Sequence, residues 1–87
     1  MNIKLCDIAA KLGFSFFGNG EQEISSLKYA NEAEENSLAI AYSEKDILRT
    51  SAQSVLTEPR LLPVEKNLLY CGFHELHEAI IKIARLV

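Results

Sequence analysis

A small α+β fold follows from three features of the sequence. Apolar residues recur at helical spacing near both ends of the chain. Short runs rich in aliphatic, β-branched and aromatic residues lie between them, broken by Gly, Asn, Pro and acidic clusters. The chain has 87 residues, enough for one compact domain over residues 1–87 with a thin core.

The first segment places Leu5, Ile8, Ala9 and Leu12 on one helical face, with Asp7 in the first turn and Gly13 as a C-terminal stop. "FSFF", Phe14 to Phe17, alternates and is aromatic, as a strand requires. "EQEISSLKY", Glu21 to Tyr29, reads as a second, more polar strand, and "GNG" between the two predicts a hairpin turn. A phosphate-cradling loop is the competing reading of Gly18-Asn19-Gly20. Such a loop runs from a strand into a helix, whereas here a polar strand with Glu21 and Glu23 follows, and two carboxylates repel phosphate.

"YANEAEEN" is an acidic connector whose Glu32, Glu34 and Glu35 form a solvated face. "LAIAY", residues 38–42, is a strongly apolar strand. Ser43 is a helix N-cap, Glu44 and Asp46 suit the first turn, and Ile47 and Leu48 supply the buried side. "AQSVLT" is the next strand, so residues 38–57 form a strand–helix–strand unit joining parallel strands. "EPRLLPVEKN" carries both prolines and reads as a surface loop, and "LLYC" is the last strand, ended by Gly72. Phe73, Leu76, Ile80, Ile83, Ala84 and Val87 then recur as the apolar face of a closing helix. The predicted order is α-β-β-β-α-β-β-α, a small mixed sheet with helices packed against it.

Net charge is −3 and no Lys/Arg run exists, which argues against nucleic acid and anionic membrane as partners. No apolar run approaches a bilayer span, so membrane insertion is not expected. The start, "MNIKLCDIAAKLG", lacks the pattern of a signal peptide, which predicts a cytoplasmic protein with Cys6 and Cys71 reduced and packed as small apolar side chains.

Two constellations carry candidate chemistry. Cys71, His74 and His77 have zinc-ligand chemistry, but the second ligand pair of a structural zinc site is missing, so no metal is expected. Tyr42, Ser43, Lys45 and Arg49 sit where an apolar strand gives way to a helix, a place where ligands gather beyond the carboxyl ends of parallel strands. Lys45 or Arg49 can meet a phosphate there and Tyr42 can stack on a base; a plain helix cap is the simpler reading of the residues alone. No nucleophile motif is present, and neither a catalytic residue nor a cofactor is expected.

The layout over residues 4–57 resembles the N-terminal, non-repeat domain of UDP-3-O-acylglucosamine N-acyltransferase, an enzyme of bacterial lipid A biosynthesis. The likeness lies in Leu5-x-x-Ile8-Ala9-x-x-Leu12-Gly13, in Gly18-Asn19-Gly20 with Ile24, in "LAI", in "SEKD" against the family's N-P-K-Y, and in "AQSV". A fainter likeness in layout is to the small UDP-binding domain of the muramyl ligases. The resemblance implies a domain that recognises the uridine end of a UDP-sugar. Its ring-bearing positions fall here on Ile40 and Asp46, its Asn on Ser43, and its Lys on Lys45, with Tyr42 as a compensating ring near Ile40. It therefore implies weak UDP-sugar binding at Ile40, Tyr42, Ser43, Lys45 and Asp46. The family's catalytic histidine lies in a hexapeptide-repeat domain, and no such repeats occur here, so the chain alone is not expected to transfer an acyl group. Such a chain is either a fragment of the enzyme or a degenerate relative. The alternative is a protein-interaction module on the same fold, self-associating or binding a partner through the last helix, where Ile81 and Leu86 widen the apolar face.

Overall fold

The computed structural model describes residues 2–58, 66–72 and 74–87. Among them β1 (Ile3–Lys4), α1 (Leu5–Leu12), β2 (Ser15–Phe17), β3 (Glu23–Ile24), β4 (Ser26–Tyr29), β5 (Ser37–Ile40), α2 (Glu44–Arg49), β6 (Ser54–Thr57), β7 (Asn67–Tyr70) and α3 (Leu76–Ala84) follow in order. The fold is α+β, as the sequence predicts. The expected order changes at the N-terminal side. Ile3–Lys4 adds a strand, and the single strand expected over residues 21–29 divides in two.

A five-stranded sheet runs β2-β7-β6-β5-β4, and β1 pairs with β3 in a separate two-stranded sheet. Strands β4, β5, β6 and β7 are mutually parallel, and β2 closes one edge antiparallel to β7. The strand–helix–strand unit of residues 38–57 is present, with β5 and β6 neighbouring and parallel across α2.

The central strands are buried throughout, because both faces of the sheet are covered. Side-chain alternation divides the core in two. On one face Leu38, Leu56 and Leu69 meet Leu5 and Ile8 of α1 and Leu76, Ala79 and Ile83 of α3. On the other, Ala39, Ala41, Val55 and Leu68 meet Ile47 of α2 and Ala30, Ala33 and Ala52. Small side chains on this second face let a bare connector lie against the sheet. Parallel neighbours generally need a crossover of about a dozen residues or more. The link between β4 and β5 is only residues 30–36, held by Glu32 N–H donating to Tyr29 O and by reciprocal bonds of Glu34 and Ser37. Its alanines face inward, while Glu32, Glu34 and Glu35 stay in solvent.

The turn at Gly18-Asn19-Gly20 does not close a hairpin. β2 pairs with β7 and β3 with β1, so the segments on either side part company. Two captures cause this. Asn67 Oδ1 accepts from Asn19 N–H at 2.7 Å, fixing the end of β2 beside β7. Gly20 O and Gln22 O accept from the N–H groups of Cys6 and Leu5, both at 2.9 Å, drawing the outgoing chain along the start of α1. Sequence patterning detects a turn here but not which neighbours claim its two arms.

Two helices depart in detail from expectation. Ile47 is buried, but Leu48 is 65% exposed, because α2 has six residues and only one turn's face meets the sheet. α3 begins at Leu76 and buries Leu76, Ala79 and Ile83, with Ile80 half-buried beside them and Ala84 exposed. Phe73 and most of the proline-bearing loop, residues 59–65, lie outside the described residues.

Candidate functional site

The segment singled out by the sequence occupies the carboxyl end of the parallel strands. Tyr29 and Ile40 are register partners at the last position of β4 and β5. Ile40 is 4% exposed and offers no flat surface to solvent. Ala41 N–H donates to Leu56 O, and Tyr42 follows at the exit from the sheet. Its ring stacks on that of Tyr29, with centroids 6.5 Å apart and planes inclined by 26°. Tyr29 and Tyr42 are 53% and 55% exposed, so the pair lies at the protein surface.

Ser43 and Asp46 are engaged in the start of α2. Ser43 Oγ accepts from Asp46 N–H at 3.4 Å, and Asp46 Oδ2 accepts from Tyr42 N–H at 3.0 Å. This is a reciprocal cap displaced by one residue. It explains the carboxylate at position 46: a side chain of that length reaches back to the strand exit and sets the turn that presents Tyr42. Lys45 and Arg49 are exposed and four apart on α2, hence on one side of it. Among the described residues neither takes part in an ion pair.

Tyr29 also lines a groove of about 440 Å³ with Leu27, Ile40, Ile80, Ala84 and Val87. The groove runs between β4 and α3, and Ser25 and Ser26 add polar surface to its aliphatic lining. The structure therefore joins Tyr29, Tyr42 and Ile40 in one region, places Lys45 and Arg49 on the helix beyond, and commits Ser43 and Asp46 to capping. Tyr29 is the residue that sequence reasoning missed. It reads there as the first residue of an acidic connector. Its signal is an aromatic ending a polar strand, and only the parallel register sets it beside Ile40.

The second constellation does not assemble. Among the described residues no three of His, Cys, Asp and Glu are grouped so as to hold a metal. His74 adopts a left-handed conformation with φ 62° and donates its backbone N–H to Glu58 Oε1, while Cys71 Sγ faces Thr57 O at 3.6 Å. Burial pushes the Cys71 thiol up from its ordinary value, with the Glu58 and Glu75 carboxylates acting in the same direction. The thiolate is the reacting species, so Cys71 is shielded twice, by access and by ionisation. Iodoacetamide at pH 8 is expected to label half-buried Cys6 first and to reach Cys71 only in denaturant. Peptide mapping by mass spectrometry reads this; equal labelling of both in the native protein would contradict the buried placement.

Among the described residues no helix is long and apolar enough to cross a membrane. Neither a protein-family model nor a curated protein matches this chain.

Proposed function

We propose that the chain is a non-catalytic recognition domain for a uridine nucleotide sugar, of the kind that the resembled lipid A acyltransferase carries at its N-terminus. The observation that supports this is the stacked, surface-exposed pair Tyr29–Tyr42 at the carboxyl end of parallel strands. A base needs flat π surface, and this pair supplies it although Ile40 and Asp46 replace the family's rings. In this reading the base rests on the tyrosines, and Lys45 with Arg49 meets the diphosphate. Ile40 supports the floor beneath Tyr29, and Ser43 and Asp46 act by holding the turn. The domain works in the cytosol, does no acyl transfer by itself, and takes no cofactor.

Titration of UDP into the isotope-labelled protein tests this. Amide shifts are expected at Tyr29, Tyr42 and Lys45, saturating in the millimolar range. Base–aromatic stacking contributes about 1–3 kcal/mol, so Tyr29→Ala or Tyr42→Ala should each weaken binding roughly 5- to 150-fold. Both residues are exposed, so neither change should disturb the fold. The absence of shifts in residues 40–49 at millimolar UDP would end this reading.

A second reading has its own observation. Ile81 of α3 is 44% exposed and follows Ile80, which lines the groove between β4 and α3, a surface suited to self-association. Sedimentation equilibrium should then show a dimer that Ile81→Asp dissolves. A monomer at all concentrations would remove it.

A further inference from the structure

We propose that the Asn19–Gly20 peptide is a site of intramolecular deamidation, converting Asn19 to aspartate and isoaspartate in the folded protein. The chemistry is attack by the Gly20 backbone nitrogen on the Asn19 side-chain carbonyl carbon. The new N–C bond closes a five-membered succinimide, the C–N bond to the side-chain amide breaks, and the Gly20 amide proton leaves with that nitrogen as ammonia. Water then opens the ring at either carbonyl, which leaves aspartate or a main chain lengthened by one methylene. No oxidant and no co-reactant other than water takes part.

Three features of the turn favour this step. Asn19 is exposed, and the residue after it has no side chain to hinder the approach. Asn19 Oδ1 accepts from Glu21 N–H at 3.0 Å, which folds the side chain back over the Gly20 peptide and polarises the carbonyl under attack. The Gly20 N–H makes no hydrogen bond among the described residues, so the nucleophile does not have to leave a partner.

The other asparagines lack this combination. Glu32 N–H, following Asn31, donates to Tyr29 O at 2.9 Å, and Ser37 N–H, following Asn36, donates to Glu34 O at 3.0 Å. Leu68, following Asn67, sits within β7 between two paired strands, and Ile3, following Asn2, lies in β1. Each of these successors also carries a side chain.

Conversion would act on structure through the same turn. Asn19 N–H reaches Asn67 Oδ1 at 2.7 Å, and Gly20 O accepts from Cys6 N–H at 2.9 Å. An added methylene between residues 19 and 20 changes the spacing of these two anchors, so the isoaspartyl form should hold β2 and α1 together less firmly.

The test is incubation of the full chain at pH 8.5 and 37 °C, with a parallel sample at pH 5, followed by peptide mapping in which electron-transfer fragmentation separates isoaspartate from aspartate. Residue 19 should convert first, in the alkaline sample, and isoaspartyl methyltransferase should label the product. Asn19→Gln, whose longer side chain closes its ring far more slowly, should remove the label while the fold is retained. Residue 19 persisting as asparagine while Asn31 or Asn36 converts would overturn the proposal, as would equal labelling of the Asn19→Gln protein.

Discussion

Leu56→Ala is expected to destabilise the protein by about 2–5 kcal/mol, the range for a large-to-small change at a buried aliphatic site. Leu56 is completely buried in β6, the middle strand of the five-stranded sheet, and it faces the cluster formed with α1 and α3. Strands on both sides hold the backbone in place, so the cavity cannot collapse by a shift of β6. A domain of this size has a total stability of roughly 5–10 kcal/mol, so the loss is a large share of it. The urea midpoint should fall by roughly 2 M or more. Leu48→Ala is the matched control: the same side chain, 65% exposed on α2, should change stability by less than about 0.5 kcal/mol. Similar midpoints for the two variants would mean that the two-layer core is wrongly drawn.

Gly18→Ala should be nearly as severe, for a different reason. Gly18 has φ 103°, a conformation that a residue with a Cβ rarely adopts. An added Cβ would also lie 2.5 Å from Asn67 Oδ1 and 3.0 Å from Asn67 Cα. The side-chain oxygen is the acceptor for Asn19 N–H and the Cα belongs to β7, so neither can yield cheaply. Backbone strain of about 1–3 kcal/mol adds to the loss of that hydrogen bond, about 1 kcal/mol. Gly13→Ala isolates the strain alone. Gly13 has φ 70°, but a Cβ there meets nothing within 4 Å, so about 1–2 kcal/mol is expected. Equal costs at Gly18 and Gly13 in chemical denaturation would show that the contact with Asn67 carries no weight.

These two sites mark where the sequence is easy to read and where it is not. The burial of Leu56 is legible because "AQSVLT" is a short aliphatic run bounded by polar segments, which has few uses other than a covered strand. The importance of Gly18 is legible only as a turn. That the turn leads to β1 and α1, instead of back along β2, depends on Asn67 holding the end of β2 and on the Cys6 and Leu5 N–H groups capturing Gly20 O and Gln22 O, none of them local to the turn. Hairpin patterning reports local geometry, while strand partners are chosen by long-range competition for hydrogen bonds.

The candidate site divides in the same way. Tyr42 and the capping residues Ser43 and Asp46 stand together in the chain, and their neighbourhood could be read from a strand-to-helix transition. Tyr29 could not, because its relation to Tyr42 rests on the parallel register of β4 and β5 and on a connector with alanines at the inward positions. Patterning by itself determined the α+β class, the three helices, the central strands and the parallel unit around α2, since each follows from local periodicity and capping. Tertiary structure alone decided the fate of the Gly18–Gly20 turn, the exposure of Leu48 and the pairing of the two rings. Each of these depends on which distant surface covers a backbone or a side chain in the folded state, and no short stretch of chain encodes that outcome.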